Sequence, residues 1–286
     1  VTHSGPRIVQ LLRDSQMSPR RQFGQNFVTD PNTVRRIAHM ARITPEDHVV
    51  EIGAGLGSLT LALAEVAGPI GVDITAIEVD RGLVPILRDV VEQDRAAHPT
   101  HTGQVRVLEA DATTVDWNEV LPGDRTHVMV ANLPYNIATP LICDLLDEVP
   151  QITRMLVMVQ REVAQRFAAA AGSDHYGAVS VKIAYWASAR LMGDVPASVF
   201  HPRPNVESAL VEITRRTPPA AVEPAQLFGL VSTAFGQRRK MLRRSLAELV
   251  TSEQFAIAGV SPTDRPEDLG LDAWCRLARV VAYTER

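Results

Sequence analysis

An amide, a proline and an aromatic ring stand together at Asn132-Leu133-Pro134-Tyr135, directly after the apolar run Val128-Met129-Val130-Ala131. The run reads as a buried strand, and open α/β sheets bind ligands at the carboxyl ends of their strands. Such a tetrapeptide can hold a flat nitrogenous base by its edge and its face. The Asn132 side-chain oxygen and the Leu133 carbonyl can accept from an exocyclic amine. Pro134 stiffens the turn that aims the carbonyl, and Tyr135 offers a stacking face worth ~1–3 kcal/mol per base. Two acceptors aimed at the N–H groups oppose delocalisation of the amine's lone pair and favour its pyramidal, reactive form. Group transfer to such an amine rests mostly on positioning.

A second constellation lies upstream. Glu51-Ile52-Gly53-Ala54-Gly55-Leu56-Gly57 ends an apolar run with a glycine turn, where the backbone can bend sharply and a ligand can approach closely. Its Gly-x-Gly-x-Gly spacing is not the Gly-x-Gly-x-x-Gly of dinucleotide folds, and no Lys-Ser/Thr follows to cradle phosphate. Glu51 would place an anion beside the turn, which suits a cationic ligand and repels a pyrophosphate. S-adenosylmethionine, with a sulfonium, an amino group and no phosphate, meets these demands. Glu78 lies 21 residues beyond Gly57, the usual distance for an acceptor of ribose hydroxyls. Asp111 follows a third apolar segment and can accept from the exocyclic amine of the cofactor's adenine.

These residues need a scaffold of successive strand ends. Strands are predicted at 48–52, 73–78, 104–109, 126–131 and 154–159, with helices near 58–67, 82–95, 139–147 and 161–171. Asp30-Pro31 marks a helix entry, with Asp as N-cap and Pro at the first helical position. Alternation of this kind implies a parallel sheet with helices on both faces. Two further β-rich segments, 179–192 and 206–214, bring the strand count to seven and close the sheet with an antiparallel pair. Thr217-Pro218-Pro219 marks a composition shift, beyond which only helices are expected, near 224–235, 238–250, 252–258 and 272–283. The reading is therefore an α/β domain over residues 1–216, with a basic N-terminal arm, and a small all-α domain over 217–286. The polar stretch 93–104 reads as an insertion without assigned function.

Hydrophobic content of 45% and charged content of 22% are those of an ordinary soluble protein. No apolar run approaches the ~20 residues that cross a bilayer and no signal peptide is evident, so the cytoplasm is expected. Cys143 and Cys275 are far apart and read as buried small side chains, and no spacing of His, Cys or acids suggests a metal. The net charge of −4 conceals two basic clusters. One includes Arg20 and Arg21 in the N-terminal arm; the other is Arg238, Arg239, Lys240, Arg243 and Arg244, expected on one helix face. Local patches of this kind can bind phosphate on an acidic molecule.

Taken with Phe23-Gly24-Gln25-Asn26-Phe27-Val28-Thr29-Asp30 and Phe200-His201-Pro202-Arg203-Pro204-Asn205-Val206-Glu207-Ser208, these motifs resemble the ribosomal RNA adenine dimethyltransferases of the small subunit, the KsgA/RsmA family. The resemblance covers nearly the whole chain. It implies a Rossmann-like, seven-stranded S-adenosylmethionine-dependent methyltransferase domain with a small C-terminal all-α domain that meets ribosomal RNA. It implies cofactor contacts from Asn26, Val28, Gly53, Gly55, Glu78, Asp111 and Asn132, catalysis at Asn132, Leu133, Pro134 and Tyr135, and a target adenine held by Tyr135 and Phe200. The family usually has Leu where this chain has Val28. The activity implied is transfer of two methyls to each of two adjacent adenosines, in a hairpin loop near the 3′ end of 16S ribosomal RNA within an immature 30S subunit. A monomer acting without a membrane is expected. Two other readings share many of these motifs: an Erm-type 23S ribosomal RNA methyltransferase, and a non-catalytic small-subunit assembly factor.

Overall fold

Asp30 caps its helix as the sequence predicts, accepting from the amides of Asn32 and Thr33 at 3.3 and 3.0 Å, with Pro31 in the first helical position. That helix belongs to a computed structural model describing residues 2–20, 24–121, 123 and 125–284. Contacts divide the chain into two compact units. One comprises residues 1–164 and 190–214, and the other 165–189 and 215–286.

In the first unit, α1 (Gly5–Asp14) precedes β1 (Phe27–Val28) and α2 (Pro31–Met40). Strands and helices then alternate: β2 (Asp47–Ile52), α3 (Ser58–Ala67), β3 (Ile74–Glu78), α4 (Val84–Ala97), β4 (Val105–Glu109), α5 (Trp117–Val120), β5 (Thr126–Asn132), α6 (Ala138–Glu148), β6 (Ile152–Gln160) and α7 (Arg161–Phe167). Helix α8 (Ala178–Trp186) falls in the second unit and leads into β7 (Ala187–Val195), β8 (Phe200–His201) and β9 (Ser208–Arg215). The main sheet runs β4-β3-β2-β5-β6-β9-β7. β2 pairs parallel with both β3 and β5, so the strand order reverses there, and this switch point is where such sheets bind ligands. β9 adds antiparallel to β6.

The central strands β2 and β3 are buried along their whole length, and β5 is buried between its two ends. That explains their continuous apolar character, since both sheet faces are covered. One core packs Val34 and Ile37 of α2 and Leu63 of α3 against Val49, Val130 and Met158 of the sheet. A second anchors the N-terminal helix: Ile8, Leu11 and Leu12 pack with Phe27, Leu56, Leu61 and Leu83. The first part of the basic arm is therefore a docked amphipathic helix. The polar insertion partly extends α4 and then closes on α3's end, where the amides of Thr102 and Gly103 donate to the Gly68 carbonyl.

The second unit is helical. It contains α8, α9 (Pro224–Gly236), α10 (Leu242–Ser245), α11 (Ser252–Ala258) and α12 (Leu271–Thr284), around Leu227, Leu242, Phe255, Trp274 and Leu277. Cys143 and Cys275 are both buried. Among the described residues, no helix is long and apolar enough to cross a membrane.

Three expectations need correction. The segment 179–192 is not one strand: residues 178–186 form α8, and only the rest enters β7. Alternating Val179, Val181, Ile183 and Tyr185 imitates a strand. A capped start overrides that preference: Ser180 Oγ accepts from the Gly177 amide at 3.0 Å and donates to the Arg166 carbonyl at 2.6 Å. Residues 165–189 consequently fall in the helical unit, so the first unit is interrupted, although the chain does pass between the units at 214/215, beside the boundary expected near 216. Nor do residues 238–250 form one helix. The Leu242 and Arg243 amides donate to the carbonyls of Asp264 and Pro262 at 2.8 and 3.0 Å, where a continuous helix would direct them four residues back.

Candidate active site

The glycine turn leaves β2 through three left-handed residues, Gly53, Gly55 and Gly57, with φ of 76°, 57° and 86°. At Gly55 a Cβ would also crowd the Phe27 ring, at 3.1 Å. The turn forms one wall of an open cleft at the carboxyl ends of the strands, where sheets of this kind bind small molecules.

Carboxylates line it. Glu78, at the tip of β3, accepts from the Gly55 amide at 2.7 Å and from the Asp80 amide at 2.9 Å, one on each oxygen. These donors fix its orientation and leave lone pairs for hydroxyl donors; burial raises its pKa above the ordinary value. Asp111 lies exposed beyond β4, one oxygen held at 2.9 Å by the Thr113 amide. Glu51 is fully buried, with Thr60 Oγ1 donating to it at 2.6 Å. Burial, with the Glu78 charge adding, pushes its pKa up to about 8. The anion expected at Glu51 is therefore biased toward the neutral acid near pH 7.

On the opposite wall, Asn132 ends β5 beside Met158 of β6. Its Nδ2 donates to the Asn26 carbonyl at 3.0 Å. A carbonyl only accepts, so this contact fixes the amide's orientation and leaves Oδ1 as the acceptor available in the cleft. The Leu133 amide donates to the Met158 carbonyl at 3.1 Å, holding the turn. The Tyr135 hydroxyl pairs with Ser208 Oγ at 2.8 Å, which pins its ring. The segment 24–28 touches both walls: a Cβ on Gly24 would lie 3.2 Å from Pro134, and Phe27 stands against Gly55.

The cleft gathers Asn26, Val28, Gly53, Gly55, Glu78, Asp111, Asn132, Leu133, Pro134 and Tyr135. Phe200 is not among its lining residues. It pairs with Val28 across β1 and β8 and is buried in the core, so its ring supports the 24–28 segment and offers no open face. Arg20 Nη1 lies 3.1 Å from Asp80 Oδ1, while nearly half of its side chain stays exposed. Arg21 and Phe23 lie outside the described residues. In the helical unit, Arg238 pairs with Glu267 and donates to the Asp174 carbonyl. Arg239, Lys240, Arg243 and Arg244 remain exposed, but around a broken turn and not along one helix face.

Ser58, Gln25 and Asp80 escaped the sequence reading. Ser58, the first residue of α3, lines the cleft with a buried hydroxyl that has no hydrogen-bond partner among the described residues. Its place directly after the last glycine was the available signal, since helix N-termini suit anions.

A doubly wound sheet, a glycine turn at its switch point, acids at the next two strand ends and a polar tetrapeptide on β5 define an S-adenosylmethionine-dependent methyltransferase. Solved structures of this class share the fold. A dimethyladenosine transferase from Plasmodium falciparum gives a TM-score of 0.69 at 22% identity, covering 87% of this chain and 94% of that one. The 23S rRNA methyltransferase ErmE gives 0.64 at 24% identity, covering 90% and 99%. The particular family follows from sequence: the chain belongs to the ribosomal RNA adenine dimethylase family, whose model matches residues 16–282. The ribosomal RNA small subunit methyltransferase A of Streptomyces coelicolor is 44% identical over 96% of this chain and 95% of its own length. That of Bifidobacterium longum subsp. infantis is 43% identical over 96% and 92%.

Proposed function

We propose that this enzyme transfers methyl groups to N6 of two adjacent adenosines, two to each, in the hairpin loop near the 3′ end of 16S ribosomal RNA within an immature small subunit. The observation that carries this reading is the Asn132 amide, turned by the Asn26 carbonyl so that its oxygen remains an acceptor for an exocyclic amine. The relatives named as small subunit methyltransferases support the choice of RNA. A loop base also costs less to extrude than a paired one.

The cleft residues fit S-adenosylmethionine, which when bound supplies a sulfonium methyl as the electrophile. Glu78 would accept from the ribose hydroxyls, Asp111 from the adenine amine, and Glu51 would face the amino group. The orphaned Ser58 hydroxyl and the first turn of α3 suit the carboxylate. On the substrate side, Asn132 Oδ1 and the Leu133 carbonyl would accept the two N–H bonds of the target amine. Tyr135 would stack on the base. Methyl transfer from labelled cofactor to 30S particles lacking the modification, mapped by reverse-transcription stops, tests the assignment. Stops at the adjacent adenosines are expected; label only on 23S RNA would overturn it.

Glu51 gives a proton-linkage prediction. With a pKa of about 8 it is mostly protonated at pH 7, and an ammonium placed beside it favours the carboxylate. Binding of S-adenosylhomocysteine at pH 7 should therefore release up to one proton. Calorimetry in buffers of different ionisation enthalpy reads this directly. Glu51→Gln should bind without that release, and equal release from both proteins would contradict the assignment.

The exposed cations of the helical unit are proposed to meet RNA phosphates. Arg239→Glu with Arg243→Glu should weaken binding to immature 30S particles and lower the salt slope by about one per residue. Unchanged affinity and slope would remove the patch from the RNA interface.

A further inference from the structure

Asp80 is a carboxylate with no exposed side-chain surface, two residues past the cofactor-side Glu78. A buried charge persists only when hydrogen-bonded partners compensate its lost hydration. Among the described residues, three donors do so here. The Gly82 amide at 3.0 Å comes from its own turn. The other two come from the N-terminal segment: Arg20 Nη1 at 3.1 Å on Oδ1 and Gln25 Nε2 at 2.9 Å on Oδ2. Gln25 Oε1 in turn accepts from the Arg20 amide at 2.8 Å, so the two residues grip the carboxylate as one unit.

The contacts continue in both directions. The Asp80 amide donates to Glu78 Oε1 at 2.9 Å, while the Gly55 amide holds Oε2. On the other side, Gln25 is followed by Asn26, whose carbonyl accepts from Asn132 Nδ2 at 3.0 Å. A continuous path of hydrogen bonds and one peptide link therefore joins the residue at the ribose end of the cleft to the residue that faces the target amine.

We infer that Asp80 is a positioning residue that latches Arg20 and residues 24–28 onto the cofactor turn and thereby aligns Asn132. The Asn26 carbonyl orients the Asn132 amide only while Gln25 is seated. Gln25 is seated by Asp80, whose own amide helps hold Glu78. Detaching Gln25 and Arg20 would remove two of the side chain's donors, and the Gly82 amide would be left on Oδ1. The latch then acts on the transfer step as well as on cofactor affinity, which a residue serving only the cofactor turn would not do.

The inference rests on the methyl-transfer reading of this cleft, and wild-type transfer to 30S particles lacking the modification is the control that tests that reading separately. Single-turnover rates at saturating labelled S-adenosylmethionine are compared for Asp80→Ala, Gln25→Ala and the double variant. Each single variant should slow transfer on the order of tenfold or more, because small misplacements of a reacting group are costly. The double variant should be no slower than the slower single, because both changes remove the Gln25–Asp80 bond through which the latch acts. Gln25 is only half-buried, so its variant should keep the wild-type thermal midpoint and carries the test should Asp80→Ala fail to fold. Wild-type rates in Gln25→Ala at saturating cofactor would overturn the latch. So would multiplicative losses in the double variant.

Discussion

Asn132→Ala should reduce methyl transfer roughly 10²–10³-fold at saturating cofactor, the range for loss of one preorganised hydrogen-bonding group at a reacting centre. Alanine removes the side-chain acceptor and releases the Asn26 carbonyl from its 3.0 Å partner. The strand itself should survive, because Asn132 sits at the end of β5 and the Leu133 amide keeps its bond to Met158. Asn132→Asp separates the two roles. It retains an acceptor oxygen but sets a carboxylate against the Asn26 carbonyl, where only a donor is tolerated. Single-turnover transfer by the Asn132→Asp enzyme should therefore fall far below wild type. Full activity in that variant would show that the Asn26 contact does not orient the acceptor.

Much of this site was legible because its parts are local. Glycines that must turn left-handed, acids one or two residues beyond an apolar strand, and a proline behind an amide all announce themselves within a short window. Glu78, Asp111 and Asn132 accordingly converge where strand-end logic puts them. The parts that were missed depend on contacts between distant segments. Asp80 looks like any acid opening a turn, and only its pairing with Arg20 and Gln25, 60 and 55 residues away, marks it. Phe200, implied by the resemblance to hold the target adenine, is packed into the core beside Val28. The same cause explains the helical unit. Its α8 carries a strand-like alternation that the Ser180 cap, reaching back to the Arg166 carbonyl, overrides, and the helix expected over 238–250 breaks because carbonyls at 262 and 264 capture its amides.

A further large effect concerns the opposite end of the sheet. His48 of β2 and His127 of β5 are register partners, packed edge to face with ring centroids 5.3 Å apart. His48 Nε2 meets Thr75 Oγ1 at 2.9 Å, but neither ring nitrogen of His127 has a partner among the described residues. Burial, aided by His48, pushes the His127 pKa down to about 4, and burial lowers that of His48 as well. Between pH 6.5 and 4 the unfolded chain binds a proton at residue 127 that the folded chain refuses. Stability is therefore full above the unfolded pKa and falls as pH drops toward 4. The His127 contribution is on the order of 3 kcal/mol across that window. His127→Leu, of similar volume, should remove this slope and stabilise the sheet at pH 4.5 far more than at pH 7.5. Denaturant midpoints of both proteins at the two pH values measure it. Parallel pH profiles would mean that His127 is hydrated or paired in the folded enzyme and titrates normally.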